Sequence, residues 1–191
     1  YCTGVTTVYS HDTEIAERYD DLVDAIEDTS ESGVYFRNNM PLLRKAGVDS
    51  LKATILRAHE AGLEVFWTHR INDTHDSAPG NERLLSQWKR RHPEYLMGVP
   101  EDTKTYPSSS PRYWWSAIDF EQPDVRDYLY RITEEVGRRY DVDGIEIDYW
   151  RSPVFSRPNM DGEPATKAHL DILTGFQRSI RQMAVREGAK R

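Results

Sequence analysis

The stretch Asp143-Gly144-Ile145-Glu146-Ile147-Asp148-Tyr149-Trp150-Arg151 decides how the chain folds. Side chains along a strand switch faces at every residue, so Ile145 and Ile147 share one face while Glu146 and Asp148 share the other. One face is apolar and the other acidic. Val142-Asp143-Gly144 leads into this strand and Arg151-Ser152-Pro153 leads out of it. Asp148 therefore falls near the C-terminal end of the strand, where open α/β sheets and β/α barrels keep their chemistry.

Upstream, Pro123 starts a helix in which Val125, Leu129, Ile132, Val136 and Tyr140 recur at helical spacing. Trp114 to Phe120 is expected to be the strand before it. A helix carrying Leu84, Leu85 and Trp88 precedes that, closed by His92-Pro93. Leu63 to Ile71 is a further strand, and the helix before it has Asp49 as N-cap, Leu51, Ile55 and Ala58 on one face, and Gly62 beyond its end. A short helix spans Asn38 to Ala46. Residues 1 to 10 are expected to be extended, and Ile15, Tyr19, Leu22, Val23 and Ile26 fall at helical spacing. Downstream, Leu173, Phe176, Ile180 and Met183 line the buried face of a last helix. Alternating strands and helices imply parallel strands with right-handed crossovers, in one α/β domain over residues 1 to 191. The long loops at 72 to 80 and 152 to 164 follow strands, on the side where ligands sit.

A formal charge of −7 leaves no basic footprint for nucleic acid or an anionic membrane surface. No apolar run approaches the roughly 20 residues of a membrane-spanning helix. Cys2 is the sole cysteine, which rules out an internal disulfide framework and a Cys-rich metal site. Five Trp and eleven Tyr supply flat, partly polar surface suited to sugar rings as well as to a core.

Four motifs together carry a resemblance: Leu63 to Asp76 (LEVFWTHRINDTHD); His92 to Gly98; Ala117 to Phe120 followed by Pro123 to Arg126; and Tyr140 to Asp148 followed by Arg151 to Phe155. Over roughly residues 40 to 155 the chain resembles the glycoside-hydrolase-like family 10 group of bacterial β/α-barrel proteins. The resemblance implies a (β/α)8 TIM-type barrel acting on glycosidic bonds, of which this chain would hold the N-terminal part. The strands at 63, 114 and 143 would be the second, third and fourth. It implies a carbohydrate substrate, no cofactor, and a periplasmic or secreted location. Retaining glycosidases with an Asp ending the fourth strand use it as nucleophile, which by likeness designates Asp148. Endo-xylanase-type barrels end that strand in Asn-Glu, a pattern this chain lacks.

Glycoside hydrolysis usually employs two carboxyl groups. Besides Asp148, the candidates are Glu146 on the same face and Asp119 at the end of the expected third strand. Asp119 could equally cap the following helix, and Glu146 could be an interior residue paired with an arginine. Candidate substrate-binding residues are His69, Arg70, Asn72, Asp73 and Arg151; Trp67, Trp114, Trp115 and Trp150 could offer stacking platforms, with Trp67 and Trp115 chosen among them. Trp67 and His69 share one strand face and Thr68 and Arg70 the other, and alternation alone leaves open which points to the ligand. His75 and Asp76 belong to the same polar cluster as Asn72 and Asp73, and a turn with solvated side chains is at least as good a reading of them. The His and Asp side chains match no defined metal-site spacing, so no metal is assigned. The rival readings are a metal-dependent hydrolase on the same barrel and a non-catalytic carbohydrate-binding protein.

Overall fold

A computed structural model describes residues 2–3, 6–7, 13–18, 40–150 and 152–190. Five strands, β1 (Cys2–Thr3), β2 (Thr6–Thr7), β3 (Glu17–Arg18), β4 (Phe66–Arg70) and β5 (Gly144–Asp148), form one sheet in the order β3-β2-β1-β4-β5. The helices are α1 (Met40–Lys45), α2 (Ser50–Glu60), α3 (Gln87–Arg91), α4 (Asp102–Thr105), α5 (Pro123–Arg139), α6 (Arg157–Met160) and α7 (Lys167–Gly188). β1 pairs with β4 and β4 with β5, both parallel, whereas β1 and β2 are antiparallel. Among the described residues the sheet is open, and no barrel is closed.

α2 begins where Asp49 accepts hydrogen bonds from the backbone N–H groups of Leu51 and Lys52, satisfying donors that the first helical turn leaves unpaired. The other Asp49 oxygen takes a 2.7 Å bond from the Tyr140 hydroxyl, which ties the start of α2 to the end of α5. Gly62, at φ +73, turns the chain out of α2 in the left-handed region that glycine enters without strain. At the start of β5, Asp143 accepts from the Val65 N–H at 2.7 Å and pairs with His59 at 2.8 Å, so the two parallel strands are aligned by a side chain before their ladder begins.

Two faces follow from the β4–β5 register, in which Phe66 to Arg70 sit opposite Gly144 to Asp148. Trp67, His69, Ile145 and Ile147 point to the helices. Trp67 joins Ile55, Ile132, Val136 and Tyr140 in one apolar cluster, and Ile145 packs against it. The larger cluster combines Ile71, Trp88, Trp115, Phe120, Leu129, Phe176 and Met183, so α5 is clamped between the sheet and α7. Burial of these side chains is the main driving force for the layer. Phe66, Thr68, Arg70, Gly144, Glu146 and Asp148 occupy the opposite face. Glu135, buried on α5, accepts from Thr13 and from the Glu14 N–H, holding the early segment against this helix.

Two expectations are corrected. Residues 114 to 120 are not a strand of the sheet, since β4 pairs directly with β5. Pro111–Trp114 forms a 3-10 turn, and residues 115 to 120 are all buried, without the alternation of a half-exposed strand. Their backbone hydrogen bonds go instead to residues 95 to 98: Met97 N–H to Ala117 O at 2.8 Å, Gly98 N–H to Trp115 O at 3.0 Å, and Asp119 N–H to Tyr95 O at 2.8 Å. Ile15, expected within a helix, lies in a bend before β3, while Tyr19 to Ile26 fall outside the described residues.

Candidate active site

At the carboxyl end of β4 and β5, Arg70 stands opposite Asp148. The Arg70 Nε lies 3.8 Å from the Asp148 carboxylate, whose other oxygen accepts the Trp150 N–H at 2.9 Å. Two residues earlier, Glu146 is exposed and accepts from the Thr68 hydroxyl at 2.8 Å. Both carboxylates therefore lie on the face away from the helices, as alternation requires. Arg70 shares that face, whereas His69 lies on the other, toward α5.

Arg70 also donates to Asp73 at 2.9 Å. The other Asp73 oxygen accepts the His75 N–H at 3.0 Å and lies 2.6 Å from the His75 Nδ1. Burial opposes charge on Asp73, yet the hydrogen bonds from the His75 N–H and ring, the His75 charge and the Arg70 bond outweigh it and hold the carboxyl below its ordinary value. Asp148, Arg70, Asp73 and His75 thus form one continuous polar chain leading out of the strand ends.

The chain of contacts ends at a groove of about 420 Å³. Its walls come from three loops: Thr74 and His75 after β4, Ser110 and Trp114 around the 3-10 turn, and Ser152 and Val154 after β5. Thr74 and Ser152 touch through their hydroxyls at 3.0 Å, and the Trp114 indole N–H is held by Ser108 O at 3.1 Å. Asn72, nearly fully buried, fastens the three loops: its carbonyl accepts the Ile118 N–H at 3.2 Å and its amide donates to Val154 O. Its placement is that of a brace between loops.

Several candidates are placed differently from expectation. Trp67 and Trp115, at 1% and 6% exposure, are core side chains and offer no open face to a ligand. His69 is fully buried, its Nδ1 3.0 Å from the Thr133 hydroxyl of α5, and is likewise separated from the carboxylates by the sheet. Asp76 is not solvated: Lys89, itself buried, donates to it at 2.8 Å, and Ser116 bonds it as well. Asp119 is 1% exposed and accepts from Arg157 at 3.1 Å and from the Glu121 N–H at 3.0 Å, which makes it a latch between loops at the start of α5. Arg151 lies outside the described residues. Among the described residues no three His, Cys, Asp or Glu side chains converge so as to hold a metal ion, and no helix is long and apolar enough to cross a membrane.

The sequence offers Trp114 as one of several possible stacking platforms and His75 as one member of a polar cluster, without marking either as a groove residue. The Trp114-Trp115 pair was visible, but which indole faces out depends on the 3-10 turn, which periodicity does not reveal.

These strand ends and loops lie within residues 36–167, the span over which the chain matches the family described as glycosyl hydrolase-like 10. The chain belongs to that family. Every candidate residue named above falls within the matched span. No curated protein matches it. Membership of glycosyl hydrolase-like 10 points to carbohydrate-related, hydrolase-like chemistry on an α/β chain.

Proposed function

We propose that this glycosyl hydrolase-like 10 protein hydrolyses glycosidic bonds of a poly- or oligosaccharide, with Asp148 as nucleophile or as electrostatic stabiliser of an oxocarbenium-like transition state. The observation that carries the proposal is the placement of Asp148 at the carboxyl end of a parallel strand pair, on the face opposite the one packed on α5, with Arg70 beside it. A β/α barrel, of which β1, β4 and β5 would be parallel staves, belongs to the same proposal. Arg70 brings a positive charge to within 3.8 Å of the Asp148 carboxylate. Glu146, on the same face, is the supporting carboxylate. Asp119 is assigned to loop positioning, because its oxygens are engaged by Arg157 and the Glu121 N–H.

Replacing Asp148 by Asn preserves shape and removes the charge. The expected outcome is loss of hydrolysis by at least about a thousandfold, on the scale of losing a group that acts directly on the transition state. Binding of the same oligosaccharide should persist. Unchanged hydrolysis by Asp148→Asn would remove the mechanism. A carbohydrate-binding protein without catalysis is the second reading, favoured by the indole of Trp114 on the groove wall. Under it, wild type and Asp148→Asn bind equally and neither cleaves.

A further inference from the structure

We infer that the groove beside the strand ends is a binding subsite for one pyranose ring, with Trp114 as its stacking wall and His75, fixed by Asp73, as its hydrogen-bonding specificity residue. The inference rests on the carbohydrate reading above and deepens it by naming the groove residues that meet the ring.

Size and lining agree with such an occupant. A volume of about 420 Å³ falls within the range of about 300–1,000 Å³ typical of small-ligand sites. A sugar ring presents C–H faces and a rim of hydroxyls, so it needs one flat apolar wall and several short polar groups. Trp114 supplies the wall, while Thr74, Ser110 and Ser152 supply hydroxyls and His75 an imidazole. Among the described residues, no Lys or Arg lines the groove.

His75 is held more firmly than a turn residue needs to be. One Asp73 oxygen meets both its backbone N–H and its Nδ1, and Arg70 pins the other oxygen. Buried Lys89 donates to the Asp73 backbone carbonyl at 2.8 Å, which fixes the loop from behind. A carboxylate only accepts, so the imidazole is assigned with a proton on Nδ1, and the ring meets a ligand in a defined orientation. Pre-organisation of this kind lowers the entropy lost on binding. Asp73 is in this sense a positioning residue. Asp73 contacts Arg70 and Arg70 contacts Asp148, so one network of contacts joins the groove to the strand ends.

The test uses the full chain carrying Asp148→Asn, so that binding is read without turnover. Cellohexaose, xylohexaose, maltohexaose and chitohexaose serve as probes in calorimetric titrations. We expect at least one probe to bind, and Trp114→Ala and His75→Ala each to weaken it at least tenfold with an unchanged thermal unfolding midpoint. Trp114→Phe and His75→Gln, which keep a ring and a hydrogen-bonding group, should recover part of the loss and serve where an alanine variant fails to fold. Affinity unchanged by all four substitutions overturns the subsite, as does the failure of every probe to bind at millimolar concentration. If the chain with Asp148 intact cleaves a probe that Asp148→Asn does not, yet the groove variants bind normally, the subsite falls and the hydrolase stands. If the groove variants lose binding but Asp148 makes no difference to cleavage, the subsite stands and the catalytic role of Asp148 falls.

Discussion

Asp73 is the residue whose charge the site depends on most visibly. It is largely buried and accepts from Arg70, from the His75 N–H and from the His75 ring, and these contacts depress its proton affinity below that of the unfolded chain. A carboxylate with a folded-state value below its unfolded value contributes stability above the unfolded value and loses it as pH falls through the folded one. Asp73→Asn should therefore cost about 1–3 kcal/mol near neutral pH, the usual scale for hydrogen bonds to a charged group. The difference between the variant and the original should shrink as pH drops below about 4, the ordinary aspartate range. Urea unfolding midpoints measured from pH 7 down to pH 2.5 check this. A difference that stays constant over that span would show that the Asp73 charge contributes nothing.

At the scale of the element, β4 and β5 show what sequence discloses and what it does not. Ile145, Glu146, Ile147 and Asp148 alternate so regularly that both the strand and the face of its acids were legible, and the observed register agrees. In β4, Trp67, Thr68, His69 and Arg70 offer two mixed faces, and only packing against Ile132, Thr133 and Val136 of α5 selects between them. Residues 114 to 120 misled because a run of buried apolar residues looks the same in a strand and in an irregular segment enclosed by loops. The groove was illegible for a further reason: it joins Thr74, Trp114 and Ser152, whose proximity is a property of the packed chain and not of any local pattern. Gly144 was legible only as a turn residue. In the sheet it stands opposite Phe66, and a Cβ at Gly144 would lie 2.3 Å from the ring. Phe66 is 58% exposed, so its ring has room to turn aside, and Gly144→Val is expected to cost about 1 kcal/mol, the low end of overpacking. Phe66→Ala in the same chain should relieve much of that loss, because the clash is with its ring. Thermal unfolding of the two single variants and the double variant gives the coupling directly, and simple additivity would disprove the contact.

Across the whole molecule, the strand ends are roofed by segments drawn from distant parts of the chain, and ion pairs join them. Arg112 reaches Asp161, and Arg157 at the start of α6 reaches Asp119 just before α5. The second pair is the more consequential, because Asp119 is 1% exposed while the Arg157 side chain is 53% exposed. Removing the arginine leaves a buried carboxylate with only neutral donors, from Glu121 and Gln122. Taking away one partner of a buried pair costs up to about 3–5 kcal/mol, and the solvent around Arg157 should reduce that to the lower end or below. Asp119→Asn removes the charge that Arg157 answers, so the two single substitutions should lower the unfolding midpoint to similar degrees. The double variant Asp119→Asn with Arg157→Gln should be no worse than the poorer single. Hydrolysis separates this latch from a reacting carboxylate. A latch shifts KM as the loops loosen and leaves kcat within about tenfold, whereas a residue acting on the transition state lowers kcat by orders of magnitude with stability intact. Loss of kcat in Asp119→Asn with an unmoved unfolding midpoint would restore Asp119 to the chemistry and leave Arg157 as the group that tunes it.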